Sequence, residues 1–429
     1  MLATSVPPVY KTPEGTFLHS YMQFMQAMET PTRFDLFGGL FLLSAVLDRR
    51  ATIARPNAPL NTNLFTLFVA DSGIARKSTA VGYVERILDQ FCAHTGFNLV
   101  RISARATTAG IADAAAEHSF DTGTRLSFVS TEMVNLLGRK SSNTDLPALL
   151  TELYDCPATC TGALTGTAGW RHLREVYCTF LSAAAPSWLA RAINPDVLEG
   201  GFASRLLVVS ESMGKGLRPW TFGDLPINTF TARCIQQLEQ VRNCLEQSPD
   251  VLFSARGVKK YVAWYKNRVA VSGPYLAAFQ SREQDHVLRI AALLAINDRS
   301  WLIEPRHLSP ALAIVSRCRE DGFRVFAGSR SSQEIAFSDR LYRNVDSLMA
   351  YLTEQGGEWT PQATLINRFK NTIKSEGLMN ILDVLLYYKA VQHIVEQTKG
   401  RPRRLWRGTT ALHTLSVQDI CARVDRSRA

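Results

Sequence analysis

Residues 64–79 have the sequence Leu-Phe-Thr-Leu-Phe-Val-Ala-Asp-Ser-Gly-Ile-Ala-Arg-Lys-Ser-Thr. The first seven residues form a short apolar run, which is typical of a strand buried on both faces. The triplet Asp71-Ser72-Gly73 interrupts the run, and a helical pattern follows from Lys77 to about Phe91. The stretch therefore predicts a strand, a turn and a helix that begins at a lysine.

A turn between a strand and a helix binds phosphate when its backbone N–H groups point inward and the helix N-terminus faces the anion. A lysine then reaches the β- and γ-phosphates, and a hydroxyl ligates Mg²⁺. Lys77 and Ser78 supply these two side chains, so Ser78 is the predicted metal ligand. Asp71 and Arg76 stand where the motif has its two glycines, and a chance Lys-Ser-Thr at a helix start is the plainer alternative.

After the loop, strand and helix patterns alternate along the chain, and the pattern then becomes mostly helical. Apolar strand candidates lie at 126–129, 177–181 and 205–209, with helical patterns between them. This alternation predicts an α/β domain with a mainly parallel sheet. From 229 to 318 the pattern is helical almost throughout, which predicts an all-helical lid, and residues 334–408 show three helices followed by a basic-tipped hairpin. The last pattern is the outline of a C-terminal winged helix.

The predicted organisation has five parts, with irregular linkers at 210–226 and 328–332. The parts are an N-terminal helical segment packing on the core of the next domain (1–50), the α/β domain with the phosphate-binding turn (51–210), the helical lid (211–330), the winged helix (334–408) and a C-terminal tail (409–429).

The bulk composition narrows the class of protein. The chain has 429 residues, a net charge of +10 and 46% hydrophobic residues. This charge fits a polyanionic partner, but a basic protein need not bind nucleic acid. No apolar run approaches the roughly 20 residues of a membrane span, and the N-terminus lacks a secretory pattern. Because the 8 cysteines are mostly scattered singly, we expect reduced thiols and a cytoplasmic protein without a membrane partner.

Two residues downstream of the loop match the chemistry of nucleotide hydrolysis. Glu132 follows the apolar run 126–129, where an acidic residue polarises the attacking water, although Thr131 replaces the usual aspartate. Arg205 follows a glycine-rich turn at the start of a strand, where an arginine finger can serve a neighbouring subunit. The plain alternatives are a glutamate after a buried strand and a surface arginine after a helix.

Together these segments resemble a family of P-loop ATPases carried by bacteria, prophages and integrated elements, related to the AAA+ mini-chromosome-maintenance helicases. The resemblance rests on residues 72–79, 201–205 and 286–291, and it covers about Phe34 to Cys318. Such loops also carry a non-glycine residue before the lysine. The resemblance implies an AAA+-like fold and a ring of six subunits with ATP between them. It also implies that Ser182 is a γ-phosphate sensor and Arg289 a lid arginine, for which a helix salt bridge is the alternative.

The predicted site residues fall into three groups. The catalytic residues are Lys77, Glu132, Arg205 and Ser182. The nucleotide-binding residues are Ser72, Gly73, Ile74, Ala75, Arg76, Lys77, Ser78, Thr79 and Arg289. The DNA-binding residues are Arg139 and Lys140 in a channel loop, and Lys399, Arg401, Arg403, Arg404 and Arg407 in the hairpin. A solvated turn is the alternative for the channel loop. A solvated basic hairpin or a protein-contact wing is the alternative for the hairpin.

The sequence thus predicts an ATP- and Mg²⁺-dependent DNA helicase or translocase of a mobile-element or phage replication system. Single-stranded DNA would pass through the ring, duplex DNA would contact the winged helix, and a primase or other replication protein would be a separate chain. The first alternative is an ATP-gated DNA-binding switch or loader that assembles without unwinding. The second is a DNA-binding structural protein with a decayed nucleotide site.

Overall fold

The chain divides into two compact units, Met1–Ser329 and Arg330–Ala429. A computed structural model describes residues 10, 12–55, 58–71, 73–103, 107–117, 123–137, 145–162, 171–192, 201–216, 227–244, 250–269, 271, 274–370, 373, 375–398 and 402–410. In chain order the elements that begin in the first unit are α1 (Phe17–Met25), α2 (Thr32–Leu47), β1 (Thr52–Ile53), β2 (Leu60–Asn61), β3 (Phe65–Val69), α3 (Lys77–Thr95), β4 (Val100–Ile102), α4 (Thr108–Glu117), β5 (Arg125–Ser130), α5 (Met133–Leu137), α6 (Asp145–Tyr154), β6 (Thr159–Gly162), β7 (Arg171–Arg174), β8 (Tyr177–Ala184), α7 (Pro186–Ala192), α8 (Phe202–Arg205), β9 (Leu207–Ser210), α9 (Ile227–Cys244), β10 (Asp250–Phe253), α10 (Ala255–Lys266), α11 (Pro274–Asn297), β11 (Leu302–Ile303) and α12 (Pro305–Glu354).

A parallel sheet of five strands, in the order β4-β5-β8-β3-β9, forms the centre of the first unit. Strands β3 and β8 are buried along their whole length, as expected when helices cover both faces of a parallel sheet. Helix α2 packs against β3 and β8, and α3 packs against β5 and β8. The predicted mixed α/β class with a largely parallel sheet is confirmed.

The region after β9 is mostly helical, but it also supplies two short strands that the sequence pattern does not reveal. Strands β10 and β11 extend a second sheet in the order β11-β10-β1-β2. Strand β10 pairs in parallel with β1 from the N-terminal region. One hydrophobic core includes side chains from α1, the parallel sheet and helices α9 and α11. The segments predicted as N-terminal segment, P-loop domain and lid therefore share a core.

The second unit contains the end of α12, followed by β12 (Thr360–Pro361), α13 (Gln362–Phe369), α14 (Ser375–Tyr387), β13 (Val391–Glu396) and β14 (Arg403–Gly408). Its strands form an antiparallel sheet in the order β12-β14-β13. It has its own apolar core, which includes Leu348, Leu382 and Trp406.

One expectation for this part of the chain needs correction. Residues 328–332 lie within helix α12 and are not an irregular linker. Thr360 and Pro361 pair with β14 as an edge strand, and α13 begins directly after them at Gln362. An edge position suits proline because that residue has no backbone N–H to donate to the ladder. In the part of the chain described here, no helix has the length and apolar character needed to cross a bilayer.

Candidate functional site

The carboxyl ends of three neighbouring strands lie level at one edge of the parallel sheet. Val69 at the end of β3 pairs with Ala184 at the end of β8, and Ser130 at the end of β5 pairs with Ser182. The loop after β3 and the residues after β5 therefore share this edge. In open α/β sheets, ligands bind outside the carboxyl ends of the strands.

The loop between β3 and α3 contains two residues in the left-handed backbone region. They are Gly73 (φ 82°) and Arg76 (φ 49°, ψ 33°). Arg76 thus adopts, at the second motif position, a conformation for which glycine is the usual residue and which costs another L-residue roughly 1–2 kcal/mol. Its guanidinium holds one oxygen of Glu29, with Nε at 2.9 Å and Nη2 at 2.7 Å. The loop keeps the backbone turn although the glycine is missing.

Lys77 is the first residue of α3, and its side chain is enclosed. The residue is only 8% exposed, and within the described ranges no hydrogen bond or ion pair engages its ammonium group. Helix α3 also starts without a side-chain cap and without an acidic residue in its first turn. Its first amides and the positive end of its dipole are therefore not neutralised by such groups. A buried cation beside such a helix end fits an anion.

The remaining described loop residues surround that position. Ala75 is buried, whereas Gly73, Ile74, Ser78 and Thr79 are exposed. A side-chain atom added at Gly73 would meet nothing within 4 Å, so the space on that side of the loop is open. Ser78 can therefore present its hydroxyl to a bound phosphate or its metal. Ser72, also predicted to bind the nucleotide, lies outside the described residues.

Contacts with two distant segments, around Glu29 and Lys215, hold the loop between β3 and α3 in place. The Glu29 carbonyl, from the residue that binds Arg76, accepts the Lys215 N–H at 3.2 Å. The Lys215 ammonium donates to the Met25 carbonyl at 2.6 Å and pairs with the Asp35 carboxylate. Burial raises the pKa of Asp35 to about 6, against the opposing effect of Lys215. The loop is thus anchored to the N-terminal helices as well as to the sheet.

Glu132 lies at the same sheet edge and is exposed. Its backbone is held by Ser130, whose hydroxyl donates to the Glu132 carbonyl at 3.0 Å and accepts from the Glu132 N–H at 3.4 Å. Among the described residues no group of three His, Cys, Asp or Glu side chains could hold a metal ion. Mg²⁺ is commonly held by one or two protein ligands together with substrate phosphates, so the exposed Ser78 hydroxyl fits such an ion.

The sequence predicts Ser182 at the end of its strand, and this prediction is wrong. Strand β8 continues to Ala184, and the Ser182 side chain is fully buried. Its hydroxyl donates to the Ser130 carbonyl at 3.1 Å, which links β8 to β5. The described contact commits this hydroxyl to the sheet and not to the open edge.

Arg205 lies at the amino ends of the parallel strands, whereas Lys77 lies at their carboxyl ends. It ends the short helix α8, two residues before β9 begins, and it is 6% exposed. Its Nη2 atom is 2.9 Å from an oxygen of Asp155, and its Nη1 atom donates to the Gly201 carbonyl at 3.1 Å. Arg282 binds the other Asp155 oxygen at 3.1 Å. Arg205 therefore cannot reach the loop of its own chain.

Arg289 does not fold over the loop, which corrects its prediction as a lid arginine for its own nucleotide. It is 2% exposed, its Nε donates to the Asn61 carbonyl at 3.0 Å, and its guanidinium lies 4.2 Å from the centre of the Tyr154 ring. Asn61 precedes β3, so these contacts are on the amino side of the sheet. The apolar residues of α11 pack into the core and draw Arg289 in with them.

His286, one turn before Arg289 on α11, is buried in the same cluster. Its Nε2 atom is 3.0 Å from the Ser204 carbonyl, and its Nδ1 atom is 3.4 Å from the Tyr154 hydroxyl. Burial lowers the pKa of the His286 imidazole to about 3, and nearby arginines act in the same direction. The neutral ring thus connects α11 to the backbone immediately before Arg205.

A charged group near the loop was missed by the sequence pattern. The buried carboxylate of Asp321 on α12 accepts from the Ser210 N–H at 3.1 Å and from Arg33 at 2.6 Å. Ser210 pairs with Val69, the last residue of the loop strand. Arg324 also binds Asp321 at 2.6 Å and has a side chain that is 58% exposed. Helix α12, and not α11, therefore brings arginines to the carboxyl side of the sheet, and the dense charges at 317–324 were the available signal.

The predicted DNA-binding residues are only partly described. Arg139, Lys140, Lys399 and Arg401 lie outside the described residues. Arg403 and Arg404 are exposed on β14. Arg407 instead binds the Gln392 side-chain oxygen at 2.7 and 3.0 Å and lies 4.5 Å from the centre of the Trp359 ring.

Helix α14 precedes this hairpin and carries acidic but no basic residues. Residues 375–387 contain no lysine or arginine, but they contain Glu376 and Asp383. A helix placed against DNA phosphates would carry cations. Helix α14 itself therefore offers no cation to a phosphate backbone. Neither a scan against protein-family models nor a search of curated proteins finds a match for this chain.

Proposed function

We propose that this chain is a P-loop ATPase with an AAA+-like core that couples ATP hydrolysis to movement along DNA. The observation that carries the proposal is the enclosed ammonium of Lys77. It lies at an uncapped helix start, directly after a central strand of a parallel sheet, and no described residue pairs with it. Burying an unpaired charge is costly, and a bound polyphosphate would supply the missing partner.

The strand order supports the same proposal. Strand β8 lies between the loop strand β3 and the Glu132 strand β5. This arrangement separates Lys77 from Glu132 by one strand along the sheet edge, which leaves room for a phosphate chain and an attacking water. Two left-handed residues shape the loop backbone as a phosphate-binding turn requires.

Each proposed site residue then has a distinct task. Lys77 and the first amides of α3 bind and orient the phosphates. Glu132 polarises the attacking water and accepts its proton. Its carboxylate is exposed, and Ser130 holds its backbone at the carboxyl end of β5. The Ser78 hydroxyl would hold Mg²⁺, which supplies charge neutralisation at the phosphates when bound. Ser182 contributes by holding β5 against β8.

We further propose a ring assembly, with six subunits as the family resemblance implies, and the position of Arg205 supports this proposal. Because this residue lies across the sheet from its own loop, it can serve only the nucleotide of another copy. That role requires Arg205 to leave Asp155, which binds it at 2.9 Å. An arginine supplied from a neighbour stabilises negative charge on the transferred phosphoryl group.

The second unit supports DNA binding through its hairpin. The order helix, strand, two helices and a two-stranded hairpin is that of a winged helix, and β14 leaves Arg403 and Arg404 exposed. Because α14 lacks basic residues, we assign the duplex contact to the hairpin and not to this helix. We place the chain in the replication system of a mobile element or phage, with any primase as a separate protein.

The proposal is tested by ATP hydrolysis with and without single-stranded DNA. The wild-type chain should hydrolyse ATP faster with DNA, and Lys77→Ala should abolish both nucleotide binding and hydrolysis. The matched control is Arg86→Ala, because Arg86 is an exposed cation on the same helix. A wild-type chain without ATPase activity on any DNA would contradict the proposal.

Two observations favour a second function, an ATP-gated switch or loader that does not unwind DNA. Asp155 holds Arg205 within its own chain, and Thr131 replaces a metal-binding carboxylate. Both features slow hydrolysis more than they weaken nucleotide binding. ATP-dependent assembly without displacement of a DNA strand would select this second function.

A further inference from the structure

Helix α10 carries a strongly basic surface that neither the nucleotide site nor the hairpin uses. Residues 255–269 contain Arg256, Lys259, Lys260, Lys266 and Arg268 and no acidic residue. These fifteen residues hold a charge of +5, which is half of the net +10 of the whole chain. A concentration of this kind attracts a polyanion more strongly than scattered charge does.

The inner face of α10 is fixed against the core. Ser254 caps the helix by accepting from the Gly257 N–H at 3.0 Å. A side-chain atom at Gly257 would lie 2.2 Å from the Ile303 carbonyl, so only glycine permits this close packing. Tyr261 contacts Phe253 with ring centres 5.7 Å apart. The helix is therefore held as a rigid platform with one outward face.

The outward face combines cations with an aromatic ring. Lys259 and Lys266 lie two turns apart on one line, and both are exposed. Tyr265 is 42% exposed. The Arg268 guanidinium lies 3.9 Å from the centre of the Tyr265 ring and donates to the carbonyls of Tyr265 and Gln280 at 3.4 Å. This cation is thus held in place beside the aromatic ring.

We infer that α10 binds single-stranded nucleic acid, with phosphates at Lys259, Lys266 and Arg256 and a base stacked at Tyr265 and Arg268. Single-strand binders combine a basic track with aromatic or guanidinium surfaces on which bases stack.

Val258, Val262 and Val269 are also exposed, at 46%, 39% and 80%, and they lie in a row beside the lysines. A basic helix with such a row also suits an anionic membrane surface, so the vesicle measurement below decides between the two partners. The guanidinium held beside the Tyr265 ring favours nucleic acid. The inference rests on charge and ring geometry and does not depend on the nucleotide site.

The test measures binding of a thirty-nucleotide oligothymidylate to the full chain in the absence of ATP. Lys259→Ala/Lys266→Ala should weaken binding on the order of 10-fold at 0.1 M salt and reduce the salt slope by about 1.4. Tyr265→Ala should weaken it roughly 5- to 150-fold. The control is Arg86→Ala/Arg233→Ala, which removes two exposed cations from other helices and should leave the affinity unchanged.

Crosslinking locates the contact independently of these affinities. An oligonucleotide containing 5-iodouracil should crosslink to the tryptic peptide Tyr261–Lys266, and Lys77→Ala should not change that result. Equal oligothymidylate affinity of the wild type and the lysine double variant would overturn the inference. Loss of binding to phosphatidylserine vesicles in that variant, with its oligonucleotide affinity intact, would assign the surface to lipid and would also overturn it.

Discussion

Replacing Arg76 tests whether the loop has the backbone of a phosphate-binding turn. Arg76 has φ 49° and ψ 33°, a conformation that costs a non-glycine residue roughly 1–2 kcal/mol. Glycine removes this cost, but its freedom in the unfolded chain offsets about 0.5–1 kcal/mol. We therefore expect Arg76→Gly to be about 0.5–1 kcal/mol more stable than Arg76→Ala. Both variants lose the contact with Glu29, so that loss cancels in the comparison.

The assay is urea unfolding of both variants, followed by their affinity for ATP. Arg86 provides the control because it is exposed in the interior of α3, where glycine should be about 1 kcal/mol less stable than alanine. The sign of the difference should therefore reverse between positions 76 and 86. Arg76→Gly should also keep its nucleotide affinity. If Arg76→Ala proved as stable as Arg76→Gly, the left-handed loop would be refuted.

Three further predictions address hydrolysis, assembly and pH. Glu132→Gln should bind ATP normally but hydrolyse it at least about 100-fold more slowly, and unchanged turnover would exclude Glu132 as the base. Asp155→Asn releases Arg205 from its ion pair, so DNA-stimulated ATPase activity should rise, and a fall would show that the pair only supports the fold. Because burial lowers the folded-state pKa of His286 to about 3, the unfolded chain takes up its proton first, near pH 6.5. The contribution of the neutral ring is complete above that pH and is lost as pH falls toward 3, by about 3 kcal/mol at pH 4. Urea unfolding from pH 7 to pH 4 should therefore show a smaller loss for His286→Gln than for the wild type, and parallel profiles would refute the buried neutral imidazole.

The central strand and loop could be predicted from sequence because their signals are local. A short apolar run, a Gly-containing turn and a helical period each depend on neighbouring residues, and the structure has β3 and α3 at those positions. The left-handed Arg76 could not be predicted, because its contact with Glu29 joins residues 47 positions apart. The same limit applies to β10, which pairs with β1 from the other end of the unit.

Arg205 and Arg289 show a second limit of sequence patterns. Their local sequence indicates charged residues near a strand and on a helix, which is compatible with a finger or a lid. Only the fold reveals that both lie on the amino side of the sheet, packed on Tyr154 and its neighbours. Conversely, Asp321 lies far from the loop in sequence, yet it binds the backbone of Ser210 beside the loop strand. The side of the sheet to which a residue belongs depends on topology and not on local pattern.

The most direct test of the proposed function is ATP turnover by purified wild-type and Lys77→Ala chains with single-stranded DNA and Mg²⁺. Lys77 is enclosed, and its ammonium has no partner among the described residues. This predicts that the wild type binds and hydrolyses ATP, and that Lys77→Ala does neither while Arg86→Ala does both. Equal turnover by the wild type and Lys77→Ala, or no nucleotide binding by the wild type, would contradict a phosphate site at this loop.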